Sequence, residues 1–347
     1  MIEKPILSVL KGERHTRPPF WFMRQAGRYL AEYRAVRAKA GSFLDLVYNP
    51  DLATEVTLQP VHRLKTDGAI LFSDILIVPH ALGQDVAFKQ GEGPVLDPIT
   101  SRADFAKLSL DALDERAAPV YQTVRQVLVA LPPSVTLIGF CGGLWTVASY
   151  MVAGRGGDEQ AAAKAWAYHD PEGFDQLLAL LEEASFHYLV GQIDAGAEVI
   201  QIFESWAGNL PEPVFERFVI APTQRLVARL KAARPTIPII GFPRAAGPYL
   251  GDYAQKTGVD AISLDSGMKL SYADQCLPAK MAVQGNLDPQ YVVAGGDLME
   301  IETARILKAL RGRPHIFNLG HGFVPHTPVA HVERLAAFLH EWHDQSQ

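Results

Sequence analysis

Short apolar runs recur along the whole chain and alternate with segments that have helical periodicity. The runs are continuous rather than alternating, which is typical of parallel strands that are covered on both faces. Eight of them are predicted to be strands: Pro19–Met23, Ala69–Phe72, Thr136–Phe140, Val199–Phe203, Ile237–Phe242, Ala261–Leu264, Ala282–Gln284 and His315–Leu319. Between them, apolar residues recur at spacings of three and four, and four of these segments are predicted to be helices: Phe174–Ala195, Leu226–Ala233, Ile301–Leu310 and Val329–His343.

Eight strand–helix alternations in a chain of 347 residues favour an α/β fold, a single (β/α)₈ TIM-type barrel that occupies residues 1–347 as one domain. The alternative is an open doubly wound sheet with a second domain. No composition shift and no linker divides the chain, so the barrel is preferred. The gaps 23–69 and 73–136 are longer than one helix needs. The barrel is therefore predicted to be distorted, with extra elements in its first two βα segments, including Gly83–Pro98.

Composition narrows the range of possible functions. Apolar residues make up 48% of the chain and the net charge is −6, which argues against general binding to nucleic acid or to membrane surfaces. Two cysteines cannot form a disulfide framework or a four-cysteine zinc cluster. No apolar run is long enough for a signal peptide or a membrane span, so we expect a cytoplasmic protein.

Positive charge is concentrated at the start of the chain. Residues 1–40 contain nine Lys and Arg against three acids, a local charge of +6, and the rest of the chain therefore carries −12. Such a segment is either a solvated basic helix face or a binding site for anions. The charge count alone leaves both interpretations open.

Polar residues also collect where the predicted strands end. In a barrel of this type, catalytic groups come from the C-terminal ends of the strands and the loops that follow. The residues at those positions are Arg24, Gln25, Arg28, Ser73, Asp74, Cys141, Gly142, Gly143, Glu204, Ser205, Pro243, Arg244, Asp265, Ser266, Asn286, Asp288, Gly320, His321 and Gly322. Together they predict an active-site mouth that contains arginines, a carboxylate, hydroxyl groups and a histidine.

Three of these positions each allow two interpretations. Asp74 follows an apolar run, so its carboxylate either caps the following element or serves a substrate or a developing cation. Arg24 and Arg28, if helical, share one face and either clamp carboxylates or pair with acids elsewhere. His321, between two glycines, is either a ligand contact or a structural histidine. Cys141 is predicted to be a packed thiol, because no partner histidine is evident nearby.

Five segments resemble a known family. The segment PPFWFMRQAGRYLAEYR, Pro18–Arg34, contains the full W-x-M-R-Q-A-G-R-Y pattern of the uroporphyrinogen decarboxylase family, and Gly139–Gly154 resembles its second signature. ILFSDIL, QIFESWAG and NLGHGF resemble further blocks, in the same order. The resemblance implies a (β/α)₈ barrel, usually a homodimer, that removes carbon dioxide from the four acetate arms of uroporphyrinogen III without a metal or organic cofactor.

The resemblance also implies which residues act. Asp74 is the expected catalytic group. The expected substrate-binding residues, with no metal ligand among them, are Arg24, Gln25, Ala26, Gly27, Arg28, Arg37, Asp74, Tyr150, Ser205 and His321. One departure from the family pattern is Leu144, where the second signature usually has proline.

The expected chemistry suits these residue types, because a cofactor-free decarboxylase must use the substrate itself as the electron sink. Protonation of the pyrrole gives a cationic iminium. The enzyme therefore needs a cage of positive charges for the polyanionic substrate, a carboxylate that stabilises the cation, and a proton source. Two other classes of protein fit the sequence less well. A corrinoid-dependent methyltransferase would need zinc ligands, and the chain has no His-x-Cys pair. A non-catalytic tetrapyrrole-binding protein would not need Asp74.

Overall fold

Seven parallel strands form one curved sheet. The computed structural model describes residues 3–89 and 93–343, and within these ranges the strand order is β1-β4-β5-β6-β7-β8-β9. The strands are β1 (Gly68–Ile70), β4 (Thr136–Gly142), β5 (Val199–Glu204), β6 (Ile239–Pro243), β7 (Ala261–Ser263), β8 (Ala282–Gln284) and β9 (His315–Ile316). A separate antiparallel hairpin pairs β2 (Val86–Lys89) with β3 (Gly93–Leu96). This hairpin occupies the predicted Gly83–Pro98 stretch, of which residues 90–92 lie outside the described ranges.

Besides two 3₁₀ segments and one π-helical segment, sixteen α-helices surround the sheet in the described part of the chain. They are α1 (Pro5–Leu10), α2 (Ala31–Ala40), α3 (Phe43–Val47), α4 (Pro50–Leu64), α5 (Ile77–Leu82), α6 (Leu113–Ala130), α7 (Leu144–Ala153), α8 (Ala161–His169), α9 (Pro171–Ala195), α10 (Glu212–Phe215), α11 (Ala221–Ala233), α12 (Leu250–Thr257), α13 (Leu270–Cys276), α14 (Pro289–Ala294), α15 (Gly296–Leu310) and α16 (Val329–Glu341). Helices α2 to α4 lie in the first long gap, and α5, the hairpin and α6 lie in the second. This confirms the extra elements predicted in the first two βα segments.

The predicted first strand, Pro19–Met23, is not a regular strand, and this prediction is corrected. Only Phe20 forms a bridge, to Phe317 in the parallel sense. The Phe317 N–H donates to the Pro19 carbonyl at 2.8 Å, and the Asp67 N–H donates to the Phe20 carbonyl at 2.9 Å. The segment therefore lies between the β9 and β1 sides of the sheet and closes the barrel with a few hydrogen bonds instead of a regular ladder. Two prolines, Pro18 and Pro19, lack the N–H groups that a longer ladder would need.

Two hydrophobic clusters divide the core. The larger one lies between the sheet and the helices, and the smaller one fills the barrel interior with alternate residues of the strands, such as Ile138, Val199 and Ile240. Helix α1 adds Ile6 and Val9 to the interior cluster, and each buried aliphatic side chain contributes about 1.5–3 kcal/mol.

Helix α1 closes the end of the barrel at which the strands begin. The Lys4 ammonium donates to the Val135 carbonyl at 2.9 Å and to the Glu198 carboxylate at 2.7 Å, and these two residues lie immediately before β4 and β5. The opposite end, where the strands terminate, is therefore the end that is open to a ligand.

A polar network crosses the barrel interior. The Trp21 indole N–H donates to Gln284 Oε1 at 2.9 Å, and Gln284 Nε2 donates to Gln201 Oε1 and Ser263 Oγ, each at 3.0 Å. All four residues are buried, so each bond offsets the desolvation of its partners. The network ties the closing segment to β5, β7 and β8.

Candidate functional site

Arg24 has a backbone conformation that the surrounding chain enforces. Its φ is 57°, in the left-handed region that residues other than glycine rarely adopt. On one side, the Met23 N–H donates to Asn318 Oδ1 at 2.9 Å and the Phe323 N–H donates to the Met23 carbonyl at 3.1 Å. Helix α2 begins only at Ala31, so the helical pairing of Arg24 and Arg28 considered from the sequence does not form.

Gln25 holds this conformation from the other side. Its Oε1 accepts the Phe22 N–H at 3.1 Å, and its Nε2 donates to the Gly68 carbonyl at 3.1 Å. The side chain is fully buried. Substrate binding by Gln25 stays a prediction. Its side-chain amide is bonded to the backbone, its own N–H donates to the Phe22 carbonyl at 2.9 Å, and its carbonyl accepts the Tyr29 hydroxyl at 2.7 Å.

The glycines around His321 are needed for close approach. A Cβ on Gly322 would lie 2.4 Å from Arg24 Cδ, and a Cβ on Gly320 would lie 2.2 Å from the Ser266 nitrogen. Larger residues would therefore displace Arg24 or the loop after β7. The two glycines allow His321 and Arg24 to face the same space.

Asp74 lies in the loop between β1 and α5, where the barrel wall partly buries it. One oxygen, Oδ1, accepts the Leu76 N–H at 2.9 Å, and no other hydrogen bond to the carboxylate occurs among the described residues. Desolvation raises the pKa of Asp74 to about 6, although the Leu76 N–H and the charge of Arg24 oppose the rise. The capping interpretation is confirmed for one oxygen, which supports the turn. The functional interpretation stays a prediction, and the second oxygen remains available for it.

Tyr150 projects from α7 toward Asp74 and Arg24. Burial, together with the nearby charge of Asp74, raises the pKa of Tyr150 to about 12, so its hydroxyl stays protonated at neutral pH. Its ring stacks on Trp206 with centroids 4.0 Å apart. Tyr150 is thus held in place by a residue from the loop after β5.

Glu204 connects the end of β5 to the start of α7. Its carboxylate accepts the Trp145 N–H at 3.2 Å, the Thr146 N–H at 2.8 Å and the Thr146 hydroxyl. Desolvation raises the pKa of Glu204 to about 7, because the side chain is fully buried. At the first position of α7, Leu144 replaces the proline of the family pattern, and the Glu204 carboxylate serves the next two N–H groups.

Ser205 directly follows β5, and His321 lies in the loop after β9. Both are half-buried, and neither side chain has a hydrogen-bond partner in the described ranges. Burial lowers the pKa of His321 to about 4, and the charges of Arg24 and Arg244 add to this effect. His321 is therefore neutral at physiological pH. His315, by contrast, is a structural histidine whose Nε2 lies 2.9 Å from the Gly285 carbonyl.

The remaining predicted residues lie along the segment that leads into α2. Ala26 packs against the core, Gly27 is half-buried, and the exposed Arg28 side chain has no partner within residues 3–89 and 93–343. Arg37 differs, because its Nη1 donates to the Gly41 carbonyl at 2.7 Å. Burial raises the pKa of Tyr33, and the charges of Arg37 and Arg28 oppose this rise. The Tyr33 ring lies 5.7 Å from that of Phe72.

Sequence reasoning missed two features of the mouth. Phe203 is half-buried at the top of the barrel interior and meets Phe140 and Phe242 edge-on, at 5.4 Å and 6.0 Å, which creates an apolar floor. Arg244 was noted only as a strand-end residue, and its proximity to His321 became visible in the structure. Cys141 is buried, and burial raises the pKa of its thiol, as expected of a packed thiol.

The fold and this polar mouth define the class of protein: an enzyme-type α/β barrel with its site at the carboxyl ends of the strands. Comparison with solved structures agrees on the fold. A methyltransferase from Methanosarcina mazei superposes with a TM-score of 0.81 at 21% identity, covering 98% of this chain and 99% of the other. A likeness at this identity shows the fold alone.

Sequence comparisons identify the family. The model of the family described as uroporphyrinogen decarboxylase (URO-D) matches residues 1–342. Curated relatives of that name include proteins from Sphingopyxis alaskensis, 54% identical over 332 residues, and Rhodospirillum rubrum, 53% identical over 333 residues; each match covers 96% of both chains. The chain belongs to the uroporphyrinogen decarboxylase family, which confirms the resemblance seen in its signatures. None of the helices within the described ranges is both long and apolar enough to span a membrane.

Proposed function

We propose that the protein decarboxylates the four acetate arms of uroporphyrinogen III, giving coproporphyrinogen III and carbon dioxide. One observation carries the assignment of the site. The polar ends of five residues at the mouth have no protein partner in the described part of the chain, and neither does the second oxygen of Asp74. The five residues are Arg24, Arg28, Tyr150, Ser205 and His321. Such a collection of unpaired groups is suited to a highly polar ligand.

The arginines bind the polyanion. Arg24 and Arg28 face no carboxylate within 4 Å among the described residues, so each guanidinium is free to pair with a substrate carboxylate. Arg37 adds positive charge near Tyr33 while it retains its bond to the Gly41 carbonyl. The apolar floor formed by Phe203 lies under the macrocycle. Gln25, Ala26 and Gly27 shape the segment that carries Arg24 and Arg28.

Asp74 stabilises the cation that the reaction creates. Protonation of a pyrrole carbon gives a cationic ring, and the C–C bond to the carboxylate then breaks. Its electron pair neutralises the ring, and carbon dioxide leaves. A second proton completes the methyl group, and the ring releases the first. The free oxygen of Asp74 accepts a hydrogen bond from the pyrrole N–H, and its negative charge stabilises the cationic ring. This stabilisation is effective because the Leu76 N–H fixes the carboxylate before the substrate arrives.

Tyr150, Ser205 and His321 orient the carboxylate arms. Tyr150 donates a hydrogen bond from its hydroxyl to a carboxylate arm, since its raised pKa keeps the hydroxyl protonated. His321 is neutral, so one ring nitrogen donates and the other accepts. None of these three residues competes with Asp74 for the cationic ring.

The domain organisation, cellular location and oligomeric state are further parts of the proposal. We propose a single catalytic domain that occupies the whole chain, and a cytoplasmic homodimer, as the family resemblance implies. Light scattering of the purified protein tests the dimer, and a monomeric mass at working concentration would contradict it.

An anaerobic incubation with uroporphyrinogen III and excess EDTA tests the activity. Products are oxidised and separated by their number of carboxyl groups, and Asp74→Asn is run in parallel. We expect a ladder from eight carboxyl groups down to four with the natural protein, at a rate that EDTA does not change. Unchanged substrate in the presence of folded protein would overturn the proposed function, and a rate that falls with EDTA would overturn the metal-free mechanism.

A further inference from the structure

Arg244 is a charged residue of the mouth that the proposed function leaves without a role. It follows β6 directly, and its N–H donates to the Glu204 carbonyl at 3.0 Å, which extends the pairing of β5 with β6 by one residue. Phe242 and Ile240, two and four positions earlier, both belong to the barrel-interior cluster. By the alternation of strand side chains, Arg244 lies on the same side and points over the mouth.

The guanidinium of Arg244 lacks an anionic partner. Its one protein contact in the described ranges is a long bond, 3.5 Å, from Nη1 to the Ser205 carbonyl. The neighbouring carboxylate of Asp265 does not pair with it, because Asp265 Oδ2 accepts the Ala245 N–H and Oδ1 accepts the Gly267 N–H. Arg244 is half-buried, and a partly desolvated guanidinium with unused donors favours an anionic ligand.

Arg244 shares the neighbourhood of His321 with Arg24. The charge of Arg24 affects the pKa values of Asp74, Tyr150 and His321, whereas the charge of Arg244 affects only the pKa of His321 among these three. Arg244 therefore belongs with His321 and, through its bond to the Ser205 carbonyl, with Ser205. A ring that reacts at Asp74 leaves the other carboxylates of the macrocycle available to this group of residues.

We propose that Arg244 binds a propionate arm of the tetrapyrrole beside Ser205 and His321, and that this contact positions the substrate at every one of the four decarboxylations. The proposal rests on the proposed function. Acetate arms disappear one by one during the reaction, whereas propionate arms persist from substrate to product. A cation that serves all four steps must pair with a group that no step removes.

The direct test measures binding of coproporphyrinogen III, which has propionates but no acetates, by anaerobic equilibrium dialysis. We expect Arg244→Gln to weaken binding at least tenfold, because a charge-assisted pair is lost, and Arg244→Lys to recover part of the affinity. The matched control is Arg311→Gln, an exposed arginine just beyond α15. Equal binding by Arg244→Gln and the natural protein would overturn the proposal.

Steady-state kinetics separate a propionate contact from an acetate contact. For the substrates with eight, seven, six and five carboxyl groups, Arg244→Gln should raise KM by a similar factor, with kcat changed less than about threefold. A factor that shrinks as acetates are lost would overturn the propionate assignment.

An independent readout does not need turnover. NMR titration of labelled histidines should show a higher pKa for His321 in Arg244→Gln, because one of the two adjacent positive charges is gone. An unmoved His321 pKa would contradict the placement of Arg244. If the natural protein binds coproporphyrinogen III but does not convert uroporphyrinogen III, the proposed function fails while the test of Arg244 by binding and NMR still stands.

Discussion

The loop after β1 and the end of β5 each place a carboxylate where the barrel wall desolvates it. Burial raises the pKa of both groups, to about 6 for Asp74 and about 7 for Glu204. Their hydrogen bonds differ. Glu204 accepts two N–H groups and the hydroxyl of Thr146, whereas Asp74 accepts a single N–H from Leu76. Glu204 is thus used by the fold, and Asp74 retains an oxygen for a ligand.

This difference teaches that a shifted pKa does not by itself mark a catalytic group. Both carboxylates lie at strand ends, and both are perturbed mainly by desolvation. Only the count of partners separates them. The same distinction holds for the arginines, because Arg24 has no protein partner in the described ranges whereas Arg37 donates to the Gly41 carbonyl.

The largest effect is expected from Asp74→Asn. The substitution removes the negative charge but keeps an oxygen for the Leu76 N–H, so we expect about a 10³-fold loss of kcat with an unchanged melting temperature. Anaerobic kinetics and thermal unfolding measure the two quantities. Turnover close to that of the natural protein would remove Asp74 from the mechanism and erase the contrast with Glu204.

Glu204→Ala is expected to act on stability instead. It leaves two N–H groups of α7 and the Thr146 hydroxyl without their acceptor in a buried place, which lowers the free energy of unfolding by about 2–4 kcal/mol. Urea titration measures the loss. Glu204→Gln is the matched control, because its amide oxygen still serves Thr146 and the loss should be smaller. A stable Glu204→Ala variant with the activity loss of Asp74→Asn would reverse the comparison.

The pH dependence of kcat/KM sharpens the contrast further. Asp74 must be ionised to oppose a cation, so activity should fall tenfold per pH unit below about 6, the pKa of this group in the free protein. The direction follows from the sign of the shift: a raised carboxyl pKa moves the loss of the anion toward neutral pH. Glu204→Gln should keep this acid limb. If the acid limb shifts in Glu204→Gln but not in Asp74 variants, the limb belongs to Glu204 and the assignment to Asp74 is wrong.

The smallest effect is expected from Arg37→Ala. Arg37 is partly engaged with Gly41, so its removal should raise KM about two- to fivefold and leave kcat within twofold. Arg28→Ala, which removes an unpaired guanidinium, is the comparison variant and should raise KM more. An unchanged KM in Arg37→Ala would count against any clamping role for this residue.

Local patterns predicted much of this molecule. Seven of the eight predicted strands occur in the sheet, with ends shifted by a few residues, and β8 has the predicted bounds. The strand that failed, Pro19–Met23, contains the same kind of apolar run but makes only bridge contacts. Apolar content reports burial, and burial alone does not establish a ladder of hydrogen bonds.

The roles of the candidate site residues stay predictions, although the sequence did indicate where these residues lie. Asp74, Ser205 and His321 follow β1, β5 and β9, and Tyr150 lies in α7. The sequence did not reveal that the Gln25 amide is bound to Phe22 and Gly68. It also did not reveal the left-handed backbone of Arg24, which depends on contacts with Asn318 and Gly322 near the other end of the chain.

By itself the sequence determined the barrel, the family and the set of candidate residues, because periodicity and signature motifs are properties of neighbouring positions. The tertiary structure decided which of those residues remain unpaired. Glu204 meets Thr146 across 58 positions, and Arg244 meets Ser205 across 39. Such partnerships depend on how the loops pack in space, and that packing separates a carboxylate used by the fold from one left free for a substrate.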